Sequence, residues 1–276
     1  MSRHWASKPL RRPGKTDGVD AQALATMVCQ QRLDTWKPIS EAMYKLRQLA
    51  RQHLELQELK TQLTNQLSAL EAGMYHSPEV KKQLIKLIGE LEKQLTECAK
   101  LIQKAVDDNA EWKRKAEQIC AIKGVGILTL ANLITETNEF ALFENHRQLV
   151  SYAGYDVVEN QSGKRVGKTH ISKRGNSRIR RALHMSALQV VRYDQKPFVG
   201  LYERVFERTR IKMKGYVAVQ RKLLTIIYAL WKKDVKYDGS FVSQPIKKVA
   251  PTEGATQHRP QVDVLEIANM EKLVES

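Results

Sequence analysis

Between Gln161 and Tyr193 the chain contains no aspartate and no glutamate, yet Lys164, Arg165, Lys168, Lys173, Arg174, Arg178, Arg180, Arg181 and Arg192 all fall inside that stretch. Without local carboxylates to pair with, these cations read either as a surface that lies against a polyanion or as a solvated basic face. Cysteine is scarce. Cys29, Cys98 and Cys120 are scattered without metal-ligand spacing, which speaks against a disulfide framework and a zinc site. The histidines are equally dispersed; His170 and His184 lie within the basic stretch and suit phosphate contact or plain packing. No apolar run approaches the roughly 20 residues of a membrane span. Met1–Pro13 lacks the apolar core of a signal peptide, so the expected location is cytoplasmic, with no membrane partner.

What the chain has in excess is positive charge: 46 Lys and Arg against 30 Asp and Glu, a net +16 and a pI near 9.7. A field of that sign concentrates anions and points to nucleic acid as the partner. Its 276 residues suffice for about two domains.

Periodicity predicts a mainly α protein. Val19, Ala23, Leu24 and Met27 give a short helix from Asp17 to Leu33. Ser40 is an expected N-cap for a long helix whose apolar ladder runs Leu46, Leu49, Leu56, Leu59, Leu63, Leu67, Leu70 and Met74, before Gly73–Pro78 interrupts it. Beyond the break, Leu84, Ile88, Leu91, Leu95, Cys98, Ile102 and Ala105 alternate four and three, the seam of a coiled coil. The two helices fold back on each other or pair with a second chain. Lys123-Gly124-Val125-Gly126, between Ile119/Ile122 and the apolar run Ile127–Ile134, reads as a helix-hairpin-helix turn whose free amides hold a phosphate oxygen, or as a simple helix corner. A short helix Arg147–Tyr152 then leads into an extended Tyr155–Val158. Gly163, Gly167 and Gly175 punctuate the basic stretch as loops or a hairpin. Helix resumes after Asn176, and two more amphipathic helices span Phe198–Lys212 and Val217–Lys232. The expected organisation is 1–37, 38–117 (helical hairpin or coiled coil), 118–237 (compact helical domain) and 238–276, the last a disordered linker with a short terminal helix.

Two constellations carry candidate chemistry. Asp17 and Asp20, three apart at a helix start, face one side and suit either a shared divalent cation or the helix dipole alone. Ser162, flanked by Gly163 and followed by Lys164, Arg165 and Lys168, is a candidate phosphoryl-transfer nucleophile, because adjacent positive charge stabilises both the alkoxide and the charge gained at phosphorus. A serine that only hydrogen-bonds phosphate is the other reading.

Together, Lys15-Thr16-Asp17, Asp20-Ala21 with Leu24-Ala25, Ile122–Gly126, Leu149 with Tyr152-Ala153-Gly154, and Ser162-Gly163 through Ser172-Lys173-Arg174-Gly175 to Arg180-Arg181-Ala182-Leu183 resemble a known family. It is that of the insertion-sequence transposases that join a RuvC-like DEDD domain to a C-terminal serine-bearing transposase domain, a group that includes pilin-gene inverting recombinases. The resemblance implies that Asp17 and Asp20 are the last two acids of a Mg²⁺-holding quartet and that Ser162 is the nucleophile that cuts and rejoins DNA. On the reading of the residues themselves, Gly124, Gly126, Lys164, Arg165, Lys168, Lys173, Arg174, Arg178 and Arg181 are the expected nucleic-acid contacts. The resemblance also implies homo-oligomers assembled through the coiled coil and, in some branches, a guide RNA. The first two acids of the quartet lie on a longer N-terminal segment, whereas fourteen residues precede Lys15 here. The expectation is therefore an N-terminally truncated chain with an incomplete metal site. Its alternative role is that of a catalytically inert nucleic-acid-binding or assembly fragment.

Overall fold

The computed structural model describes residues 16–30, 38–75, 77–158, 161–162, 165–167 and 169–238. Its contacts separate two units, residues 1–39 and 40–276. In the first, α1 (Asp17–Gln30) opens with Asp17 and Asp20, the signs its dipole favours, and the Val19 amide donates to the Thr16 hydroxyl at 3.4 Å. The expected extension of α1 to Leu33 falls outside the described residues.

The second unit starts with two long helices, α2 (Glu41–Ala72) and α3 (Pro78–Asp107). Ser40 caps α2, its hydroxyl accepting from the Met43 amide at 3.2 Å. Ser77 caps α3, with Pro78 in the first turn, where its missing N–H costs nothing. The helices fold back on each other within one chain. Cys98 Sγ donates to the Leu49 carbonyl at 3.4 Å, Lys60 pairs with Glu92 at 2.8 Å and Lys81 with Glu71 at 2.8 Å, so the partner position falls as the α2 position rises. The expected seam of α3 is the buried one, with Leu84, Leu95, Cys98 and Ile102 all inside. The α2 ladder drifts: Leu59 is 48% exposed, while Met43, outside the ladder, is 1% exposed. The 3.6-residue turn of an α-helix slips against a strict heptad in this way.

Six further helices close the fold: α4 (Ala110–Ile119), α5 (Ile127–Thr137), α6 (His146–Tyr152), α7 (Ser177–Arg192), α8 (Lys196–Thr209) and α9 (Lys212–Lys233). The described residues thus form nine helices and four two-residue strands, a mainly α architecture. Helix α5 is the hub of the core. Every residue from Leu130 to Thr137 is buried, and the helix packs against α2, α3 and α7. It ends at Asn138 in the left-handed region, whose N–H bonds the Ile134 carbonyl. Just beyond, fully buried Phe140 meets Tyr228 edge-on at 5.7 Å and lies 6.0 Å from Trp231, which fastens α9 to the end of α5. Each such aromatic contributes about 2–3 kcal/mol by leaving water.

Between α6 and α7 the chain forms the only strands among the described residues. β1 (Val157–Val158) pairs antiparallel with β4 (His170–Ile171), and β2 (Gln161–Ser162) with β3 (Arg165–Val166). The registers are Val157↔Ile171 and Val158↔His170, then Gln161↔Val166 and Ser162↔Arg165, and they differ by one residue. The 238–276 tail, with its expected linker and terminal helix, lies outside the described residues from 239 onward.

Candidate nucleic-acid interface

The ribbon is anchored by a short ladder at its base. The Ser172 amide donates to the Asp156 carbonyl at 2.8 Å, Lys173 N–H to Gly154 O at 3.1 Å and Asn176 N–H to Tyr152 O at 2.8 Å, continuing the β1–β4 pairing down to the start of α7. The two backbones cross so closely at Gly175 that a Cβ there would collide with the Tyr152 carbonyl, and only glycine fits. Strand register sets Ser162 opposite Arg165 at the far end of the ribbon. Gly163, Lys164 and Lys168 lie outside the described residues. At the base, Lys173 and Arg174 are exposed, and no described carboxylate pairs with either.

Other cations named from sequence are already engaged. Arg181 Nη1 bonds Glu58 Oε2 of α2 at 2.8 Å, with both side chains about half exposed. Arg180 Nη1 donates to the Ala153 carbonyl at 2.8 Å and holds the turn before β1. Arg178 is half-buried, near enough to Glu136 to help keep that carboxyl ionised. His184, suited by sequence to phosphate contact or packing, takes the packing role. Its Nδ1 lies 3.1 Å from Gln220 Nε2, and Gln220 Oε1 accepts from the buried Tyr155 hydroxyl at 2.9 Å. Burial drives the Tyr155 phenol far above its ordinary pKa.

The residue that organises this region does not stand out in the sequence. Glu136, 6% exposed, is the one charged side chain of α5. Its carboxylate takes a forked pair from Arg51 of α2 (Nε–Oε1 2.7 Å, Nη2–Oε2 3.2 Å) and a third bond from Asn176 Nδ2 at 2.8 Å. Asn176 in turn caps α7, its Oδ1 accepting from the amides of Arg178 at 2.9 Å and Ile179 at 3.3 Å. Tyr152 hydroxyl donates to the Glu136 carbonyl at 3.3 Å, and Arg47 Nε to that of Thr135 at 2.9 Å. Burial alone would raise the Glu136 pKa. The bonds from Arg51 and Asn176, with the charges of Arg51 and Arg178, outweigh it and hold the carboxyl below its usual range. The carboxylate thus ties α5 to α2 and to the first turn of α7, and the main-chain carbonyl of the same residue holds Tyr152 before the ribbon. The signal available in sequence is a lone acid in an otherwise uncharged helix, since a charge at such a position needs partners.

The glycine turn before α5 divides into two roles. Gly124 has φ +107 and packs where a Cβ would lie 2.9 Å from both Gln189 Cβ and Val190 N, so it lets the turn touch the backbone of α7. Gly126 opens α5 without a side-chain cap, and a Cβ there would meet nothing within 4 Å. Asp17 and Asp20 are exposed on α1, and among the described residues no group of three or more His, Cys, Asp and Glu side chains could hold a metal ion. Two carboxylates alone are a poor Mg²⁺ site, because the ion keeps most of its water and is held weakly without further ligands. They do not by themselves fit the metal centre that the resemblance implies.

Comparison with known proteins defines the class. The profile described as the IS116/IS110/IS902 family transposase matches residues 116–203, which carry the glycine turn, the ribbon, Glu136 and Asn176, and a DEDD transposase profile of the IS110 type matches residues 2–75, which carry Arg51. The pilin gene-inverting protein of Moraxella bovis is 28% identical over 237 residues, covering 85% of this chain and 71% of the relative. The transposase of insertion sequence element IS1111A from Coxiella burnetii is 28% identical over 155 residues, covering 54% of this chain and 39% of that protein. By these matches the chain is similar to transposases of the insertion-sequence class. Both matched segments place that similarity with the IS110/IS116/IS902 family.

Proposed function

We propose that the chain cuts and rejoins DNA, with Ser162 as the attacking group. In this reading the Ser162 oxygen bonds to a backbone phosphorus and the bond from phosphorus to one DNA oxygen breaks. The serine proton passes to solvent, and the departing DNA oxygen takes a proton. A phosphodiester now links serine to DNA, and attack by a DNA hydroxyl from another strand end reverses the step and joins new partners. Each transesterification conserves the number of phosphoester bonds. Lys173 and Arg174 at the ribbon base, Arg165 across the register from Ser162, and Lys164 and Lys168 beside it in sequence supply positive charge for the extra negative charge on phosphorus. Arg178 and Arg181 steady the start of α7. The amides opening α5 at Gly126, after the turn that Gly124 shapes, bind a flanking phosphate. The observation that carries the reading is the matched family together with an acid-free ribbon that bears a serine opposite an arginine.

A divalent cation, Mg²⁺ by resemblance, belongs to the proposal only with ligands beyond Asp17 and Asp20, and no bond-making step is routed through it. DNA is the partner. A guide RNA and homo-oligomers built through the α2–α3 pair are further parts of the proposal, as is DNA inversion of the kind named for the Moraxella relative. A second reading, non-catalytic binding or assembly, is favoured by the absence of a metal-ligating cluster among the described residues. Incubation with end-labelled element DNA separates the two. A covalent protein–DNA adduct that Ser162→Ala abolishes, while affinity stays within about twofold, supports the enzyme. Salt-sensitive binding with no adduct under Mg²⁺ supports the binder, and an adduct that persists in Ser162→Ala removes Ser162 as nucleophile.

A further inference from the structure

Helices α8 and α9 meet at a corner whose sequence, Arg208-Thr209-Arg210-Ile211-Lys212-Met213-Lys214, places a cation at every second position. Arg208, Arg210 and Lys212 are exposed, and the neighbouring Ile211 and Met213 are 44% and 52% exposed. Several cations elsewhere on this surface have a carboxylate partner: Lys45 has Glu41, Lys60 has Glu92, Lys81 has Glu71 and Lys115 has Glu111. At the corner, no described carboxylate lies within ion-pair distance, although Glu203 and Glu207 stand on the same helix.

The corner is also rigid. Arg210 turns the chain in the left-handed region (φ 55) with its N–H on the Phe206 carbonyl. Tyr202 stacks parallel to Phe206 and leans on Tyr216 at 4.7 Å. α9 comes so close that a Cβ on Gly215 would lie 2.6 Å from the Tyr202 ring. Holding several like charges together on a stiff turn without counter-charges is electrostatically unfavourable in the free protein. It becomes favourable when a polyanion releases its own counterions to them. Exposed cations spread over the corner, with Ile211 and Met213 exposed among them, suit a run of phosphates with sugars between, rather than one small anion.

We propose that the α8–α9 corner is a second DNA-backbone contact, separate in sequence from the Ser162 ribbon and beyond residues 2–75 and 116–203, where the family profiles match. It rests on the reading of the chain as a DNA-processing protein and adds an anchoring surface that takes no part in bond breaking. The exposed apolar pair lies against deoxyribose while the three exposed cations contact phosphates of one duplex.

The test is the salt dependence of affinity for a fluorescent duplex DNA, using the full chain. Removing one cation from a phosphate lowers the slope of log K against log salt by about 0.9, so Arg208→Gln/Arg210→Gln/Lys212→Gln is expected to lower it by about 2–3. Arg208→Lys/Arg210→Lys, which keeps the charge, is expected to keep the slope. The loss of adduct in Ser162→Ala and the loss of slope in the corner variant should be independent of each other. A wild-type chain that binds duplex DNA while the triple Gln variant shows an unchanged slope overturns the corner and leaves the proposed function standing. A slope change seen with single-stranded RNA and absent with duplex DNA also overturns it. A wild-type chain that binds no DNA overturns the functional reading and the corner together.

Discussion

A buried carboxylate shared by three elements makes Glu136 the side chain whose loss is felt furthest. Removing one partner of a buried ion pair costs about 3–5 kcal/mol, but Arg51 is 41% exposed and regains water when left alone, so the lower end applies. Glu136→Gln is expected to cost about 2–3 kcal/mol in urea unfolding, and Arg51→Met on top of it much less than Arg51→Met alone. Additive costs would show that the pair is not coupled. The pH dependence has a definite sign. Because the folded-state pKa is depressed, the stabilisation is complete above the unfolded glutamate value near 4.5 and is lost as pH falls through the lower, folded value. Wild type and Glu136→Gln should therefore differ at neutral pH and converge in acid. The thiols give a second test at this scale. Burial pushes Cys120 up to about 11 and raises Cys98 as well, while Cys29 is exposed on α1. One thiol should react quickly with a disulfide reagent near pH 8 and the other two only on unfolding, since the thiolate is the reactive form.

For the elements, contact between the glycine turn and α7 decides how firmly the first half of the matched segment 116–203 holds the second. Gly124→Ala places a methyl group against Gln189 and Val190 and puts a side chain at φ +107. A loss of about 2–4 kcal/mol is expected from strain and overpacking together. Gly126→Ala, with open space around it, should leave stability nearly unchanged and so reports on phosphate contact alone. A thermal melt of both variants checks the contrast; equal shifts would mean that the turn does not carry the packing. The same region shows what is legible beforehand. The α3 seam, the Ser40 cap and the acid-free stretch follow from local spacing, which one sequence displays. The fold-back of α2 on α3 does not, because an apolar seam serves a partner in the same chain or another equally well. The Glu136 cluster is hidden for a different reason. Arg51 and Asn176 stand 85 and 40 positions away, and no periodicity links residues joined only by tertiary packing. Gly124 suits a phosphate grip on sequence grounds because a positive-φ glycine looks the same there whether it admits a ligand or a neighbouring helix.

At the scale of the molecule, burial along the long pair is lopsided. Beyond Leu56 of α2 and before Leu95 of α3 the only buried side chain among the described residues is Leu84, whereas Met43, Leu46 and Ala50 at one end and Cys98, Ile102 and Val106 at the other are inside. The proximal half therefore belongs to the same core as α5, and the distal half is an arm held by its own two helices, by Lys60–Glu92 and by Lys81–Glu71. Exposed ion pairs contribute about 0–1 kcal/mol each and two helices alone make a thin core, so the arm adds little to the stability of what it projects from. Replacing residues 63–89 with a short Gly-Ser linker, long enough for the roughly 8–10 Å between packed helix axes, should leave the melting transition of the remainder within a few degrees. Helical circular dichroism would fall by the residues removed. A collapse of the transition would show that the distal half is integral to the core. An intact transition with lost self-association in sedimentation would assign to the arm the assembly role proposed for it, and adduct formation by the shortened chain would then show whether Ser162 acts within one copy or needs a second.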